Sequence, residues 1–200
     1  MTFLDLFYIF LFYSFFGWLI ETVFISLKRR HFVNMGFLDG PFSPIYGFGA
    51  LTIVLFVFPF KNNLPLFFIL SILITSLLEY LTSYVLEKIF KIKWWNYSKE
   101  PLNLHGRICL EASFYWGILS MLVLTFVHPR IIPLISFLSH KIGLIGLVVF
   151  LVYFILDATD TTINIIKLKK ILYQPIKIQP QFNNKIKRLF NAFPDLKLRK

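Results

Sequence analysis

Five apolar runs, at residues 3–27, 44–60, 64–87, 107–127 and 142–166, fill most of a 200-residue chain. A helix needs about 20 apolar residues to cross a hydrocarbon core roughly 30 Å thick. Inside that core each backbone polar group must be satisfied within the protein, which a helix does by itself. The sequence therefore predicts an all-α, polytopic transmembrane helical bundle of about five spans over residues 1–168. The second run is the shortest and follows Pro41 and Pro44, so its first turn is expected to be irregular or re-entrant. Only Lys61, Asn62 and Asn63 separate it from the third. The first run carries Asp5, no basic leader and no small-residue cleavage site, and reads as a retained span.

The placement of charge sets a direction. Of 21 Lys and Arg, 18 fall on one side of the bundle: in the loop after the first run, in the loop after the third, and in the tail. Lys61, Arg130 and Lys141 fall on the other. The positive-inside rule puts the larger group in the cytoplasm, with the N-terminus outside and the C-terminus inside. It also accounts for a net charge of +11 without nucleic acid. Ile186, Leu189, Phe190 and Phe193 recur at helical spacing in the basic tail, residues 169–200. They predict a short amphipathic helix on membrane lipids of the anionic inner leaflet. Cys109 is the single cysteine, and the four histidines are scattered, so neither a metal site nor a cofactor is expected.

Ionisable residues inside spans are the informative ones. Each costs about 2.5–3.5 kcal/mol at a helix centre and normally faces the bundle interior. Glu21, Glu79, Glu111, Asp157 and Asp160 lie within apolar runs, with Glu87 and Arg107 at their edges. At about 1.5 Å per residue, Glu21 sits roughly 10 Å, Glu79 about 13 Å and Asp157 about 15 Å from the nearest basic boundary residue. These acids form one layer in the inner half of the membrane. Arg107 and Glu111 are four residues apart and are expected to share a helix face. The acids outnumber the only nearby base, so the layer predicts a wet, acidic cavity open to the cytoplasm. The competing reading is structural, with the groups pairing only to pin helix register. Ser113, Gly117 and Ser120, and Gly143 and Gly146, read as close helix contacts. Trp94, Trp95 and Tyr97 read as an interfacial belt. Glu21 and Gly40, like Glu87 and Gly106, are 19 residues apart, which suggests two repeated hairpins.

No phosphate-loop, Gly-x-Ser-x-Gly or His-Glu-x-x-His motif occurs. The stretches GWLIE (17–21), FVNMGFLDGPFSPIYGFGAL (32–51), EYLTSYVLE (79–87), WWNYS (94–98) and NLHGRICLEASFYWG (103–117) resemble the signature blocks of the prokaryotic membrane family called putative ABC-transporter type IV. Asn96 stands where that family's pattern has Asp. The resemblance marks Gly40, Pro41, Pro44, Tyr46, Trp94, Trp95, Asn103 and Gly106 as signature-loop residues, beside Glu21, Glu79, Glu87 and Arg107. It implies a permease-like subunit in the cell membrane. Five spans are few for a self-sufficient pore, so a homodimer, or a separate ATPase subunit docked on loops 28–44 and 88–106, would complete it. Two other functions fit the residues. One is a membrane-embedded enzyme on a lipid or prenyl substrate, with Glu21, Glu79 or Glu111 as general acid or base and Arg107 on a head group. The other is a non-catalytic scaffold or sensor.

Overall fold

A computed structural model describes residues 1–172, 184–193 and 197–198. The chain is built almost entirely of helices. The first, α1 (Phe3–Arg29), opens with a reciprocal capping box between Thr2 and Asp5 and closes on Arg30 in the left-handed conformation. After a loop, α2 (Pro44–Phe56) starts regularly with proline in its first turn, where the missing N–H is not needed. A 3-10 turn, Phe58–Phe60, leads to α3 (Leu64–Phe90), capped by the Asn63 side chain and closed by Lys91 in the left-handed region. Then α4 (Leu110–Leu122) runs through one π-helical turn, Val123–Val127, into α5 (His128–Leu172). A short α6 spans Asn184–Ala192. Three helical runs, Phe3–Arg29, Leu64–Phe90 and Leu110–Leu168, are long and apolar enough to cross a membrane. With 13 residues, α2 is only about 20 Å long. The loop before it packs into the bundle: Ser43 is buried and donates its N–H to the Ser14 carbonyl at 3.0 Å.

Two hairpins form the bundle. In the first, Gly17 abuts Tyr46 and Gly47 abuts Ser14, so α1 and α2 run antiparallel. In the second, Ser76 donates to Ser113 at 2.7 Å and Gly117 lies against Phe68 and Ile72. Small residues let the backbones approach in both. The descending helices each have 27 residues and the returning ones 13, so the two hairpins share a plan. Glu21 and Glu87 are nevertheless not equivalent. Glu21 lies nine residues before the left-handed cap Arg30, Glu87 four before Lys91. The equal 19-residue spacing hides a second loop that is longer and differently folded. That loop holds a two-residue hairpin, β2 (Asn103–Leu104) against β3 (Ile108–Cys109), turned by His105 and Gly106, both at positive φ. Gly40 needs no such conformation.

Residues 128–141, expected as an outer loop, are helical. The partners of α5 on α1 show how its 45 residues are accommodated. His128 meets Tyr13, Ile135 packs with Tyr8 and Ile9, Ser139 bonds Asp5, and Gly143 abuts Leu4. Then the order reverses: Gly146 abuts Tyr8, Phe150 packs on Phe7, and Phe150 also meets Phe42, which packs on Phe15. A straight helix can cross its neighbour in one direction only. The run is therefore bent between Ser139 and Gly143, and its second leg lies back along α1 toward the first loop.

The tail helix departs from expectation. Its apolar stripe does not face lipid. Ile186 and Leu189 are buried with Phe90, Ile92, Trp94, Ile165 and Leu168, and Phe190 and Phe193 pack against that cluster. Ala192 joins Val33 and Met35 of the first loop. A two-residue ladder, β1 (Ile92–Lys93) with β4 (Lys197–Leu198), ties the chain beyond α6 to the second loop. The rest of the predicted tail, residues 173–183, 194–196 and 199–200, lies outside the described residues.

Candidate functional site

The predicted acidic layer resolves into three separate groups. The first lies between the hairpins. Glu21 on α1 accepts a hydrogen bond from the Tyr46 hydroxyl of α2 at 2.9 Å. Glu79 on α3 accepts from the Tyr97 hydroxyl of the following loop at 3.1 Å. Tyr46 and Tyr97 each lie within electrostatic reach of both carboxylates. The Trp116 indole of α4 also approaches Glu79, and its ring centroid is 5.7 Å from that of Tyr46. Each of the four bundle helices thus supplies one residue, and the loop a fifth. Glu79 is 7% exposed, and its Oε2 is buried without a hydrogen-bond partner. No Lys or Arg contacts either carboxylate among the described residues. In the loop, burial and then the Glu79 carboxylate push the Tyr97 hydroxyl well above its usual pKa, so it stays a donor.

The second group is a closed ion pair. Arg107 meets Glu87 at 2.5 Å, with side chains 10% and 7% exposed. The guanidinium lies over Tyr80 and Tyr84, 5.4 and 5.6 Å from their centroids. Trp95 donates to the Arg107 carbonyl at 2.9 Å, and Asn103 accepts from the Gly106 N–H at 3.0 Å. The expected Arg107–Glu111 helix pair does not form, because Arg107 lies in the β-turn before β3 and the helix starts only at Leu110. Glu111 is exposed and joins no group.

The third group ties the first loop to the end of α5. Asp157 accepts the backbone N–H groups of Asp39 and Gly40 at 3.1 and 2.9 Å. Added atoms at Gly40 would collide with Tyr153 and Asp157, so glycine is needed there for the close approach. Asp39 pairs with Arg188 at 2.6 Å and Lys185 at 3.3 Å, and Lys185 also pairs with Asp160. The Asp160 carboxylate holds the Lys185 ammonium above its ordinary value. Burial pulls Arg188 down, against the pull of Asp39.

Trp94 and Trp95, expected as an interfacial belt, sit in the protein. Trp94 is 4% exposed and meets Phe193 edge-on at 5.0 Å. Pro41 and Pro44 flank the embedded turn that carries Tyr46 into place. Tyr97, Asp39, Lys185 and Arg188 were not readable as site residues. Their chain positions lie far from the groups they meet, and no local spacing joins them.

Residues 8–162 match the family described as Putative ABC-transporter type IV. The chain belongs to this family. The match takes in both hairpins and the second leg of α5 as far as Thr162, and leaves out α6. Together with the three long apolar helical runs, membership makes this a membrane protein. No curated protein and no solved structure gives a significant match.

Proposed function

We propose that the chain is a multi-pass, permease-like subunit of a prokaryotic cell-membrane transporter, in which Glu21 and Glu79 form an inner-facing site for a proton or a cationic substrate. The observation that carries this is the character of their partners. Glu21 and Glu79 are held by tyrosines, whereas Arg107 is consumed by Glu87. A buried carboxylate without a base is neutralised by a proton or a bound cation, because an isolated charge in an apolar interior is too costly. The aromatic surroundings of Trp116 and the two tyrosines suit a proton or a soft organic ammonium. The same neutralised Arg107 weakens the enzyme reading, which needs a free guanidinium for a head group.

Five spans follow if α2 with its 3-10 turn and the second leg of α5 both cross. The cation bias then places loops 30–43 and 91–109 in the cytoplasm, where a separate ATPase subunit would dock. A second copy of the chain would complete a pathway. Dicyclohexylcarbodiimide, which reacts with protonated carboxyl groups in apolar sites, tests the site in vesicles. Labelling should map to Glu79 and Glu21, decline as pH rises, and vanish at each position in Glu79→Gln and Glu21→Gln. Modification spread evenly over all acids, or none at either glutamate, would refute the reading.

A further inference from the structure

The end of the bundle that carries both long loops presents an apolar floor with an acidic rim, and one segment of the same chain covers it. Phe37 of the first loop, Ile92 and Trp94 of the second, and Ile165 of α5 make the floor. Asp39 and Asp160 stand at its edge. Against the floor, α6 sets Ile186 and Leu189, 3% and 1% exposed. Against the rim it sets Lys185 and Arg188. Arg188 also donates to the Gly36 and Phe37 carbonyls at 3.1 and 3.3 Å, and Arg29 bonds the Asn191 carbonyl from the end of α1. Complementary charge, backbone recognition and burial of both loops under one nine-residue helix are more than a fraying tail would supply.

We infer that α6 is a lock: a basic amphipathic helix docked in cis across the two loops, which closes the inner mouth above Glu21 and Glu79 and must lift before that site communicates with the cytoplasm. The route of coupling is physical. Arg188 grips Asp39, the Asp39 and Gly40 amides hold Asp157, and the same loop runs through Ser43, anchored on Ser14, into Tyr46, the partner of Glu21. The lock also occupies the loop surface on which a cytoplasmic partner would sit. It follows that such a partner displaces α6 or binds its outer face. The gating role rests on the inner-facing site proposed above, while the docking of α6 does not.

The full chain in lipid nanodiscs, with Cys109→Ala and Leu189→Cys, reads the lock directly, since residue 189 is covered only while α6 is docked. Modification by a hydrophilic maleimide should be slow. Arg188→Asp should speed it roughly tenfold or more, the effect of losing one charge-assisted hydrogen bond. Lys187→Asp, an equal charge change on the exposed face of α6, should leave it unchanged. Rapid labelling of the parent, no effect of Arg188→Asp, or an equal effect of Lys187→Asp would each overturn the docked helix. A water-soluble carbodiimide then reads the gate: modification of Glu79 should rise when Arg188→Asp frees α6. If residue 189 opens and Glu79 does not, α6 is docked but gates nothing.

Discussion

Removing Arg107 alone should damage the protein far more than removing Arg107 and Glu87 together. The pair is buried on both sides at 2.5 Å. Arg107→Met removes the guanidinium from this buried pair, and breaking a buried pair by taking away one partner costs about 3–5 kcal/mol. It also removes the cation from over Tyr80 and Tyr84. For a chain of this size about 2–4 °C of midpoint accompanies each kcal/mol, so the single variant should melt roughly 6–20 °C below the parent. Replacing both partners by Met fills similar volume with no charge to solvate, and such replacements are neutral or stabilising. Thermal unfolding in one detergent, followed by intrinsic fluorescence, measures all four corners of the cycle. The double variant should lie within a few degrees of the parent and keep carbodiimide labelling of Glu79. A single variant within about 2 °C of the parent, or a double variant as unstable as the sum, would refute the assignment of Arg107 to structure. The backbone contact from Trp95 survives every substitution in the cycle, because it ends on the Arg107 carbonyl.

Further outcomes follow from single contacts. Gly47→Ala should loosen the first hairpin, since an added Cβ would lie 2.2 Å from Ser14 Oγ and 2.7 Å from the Phe10 carbonyl oxygen; a lowered melting midpoint checks it. Gly49→Ala should do the opposite, because nothing lies within 4 Å of its Cβ and alanine favours the helix by about 0.5–1 kcal/mol; a midpoint at or below the parent's would count against the packing described. Asp157→Ala leaves the Asp39 and Gly40 amides without their acceptor. It should cost about 1.5–3 kcal/mol and speed maleimide modification at residue 189. Single cysteines at Asn62 and Lys99, with Cys109→Ala, should label from opposite faces of sealed vesicles, and labelling from one face would remove the five-span topology.

Hydropathy made the helices legible, because an apolar run of span length has few other folds open to it. It misread residues 128–141. Arg130, Pro133, Ser139, His140 and Lys141 look like a polar loop, yet Ser139 is spent on Asp5 and Ser136, and helix persists through them. The helical placement of Glu21, Glu79, Asp157 and Asp160 was legible too, since each lies inside a long apolar run. Their grouping was not. Counting four residues joins Arg107 to Glu111, but the true partner, Glu87, lies across a β-turn that only the pair of positive φ angles at His105 and Gly106 creates. The amphipathic stripe of α6 was visible as well. A stripe says that one side is covered and leaves open by what: here Trp94 and Phe37 take the place assigned to lipid.

The distribution of partners among the acids is what separates the proposed site from scaffolding. Glu87 has a guanidinium, Asp39 a guanidinium and an ammonium, Asp160 an ammonium, and Asp157 two backbone amides. Each of these is answered by a fixed donor that the chain itself carries, which is how a membrane protein makes a buried charge tolerable. Glu21 and Glu79 are answered by phenols, which can give a hydrogen bond but no charge. The bases were available: α6 brings two to the neighbouring group, and the second loop brings one to Glu87. Among the described residues the bundle compensates the other inward acids and leaves this pair open, which is the ground for proposing a charge that comes and goes there. A permanent base at either site would close it, so introducing one is the severest test. Trp116→Lys should place an ammonium beside Glu79 and abolish its carbodiimide labelling. Retained labelling would mean that Glu79 is not held neutral for want of a base.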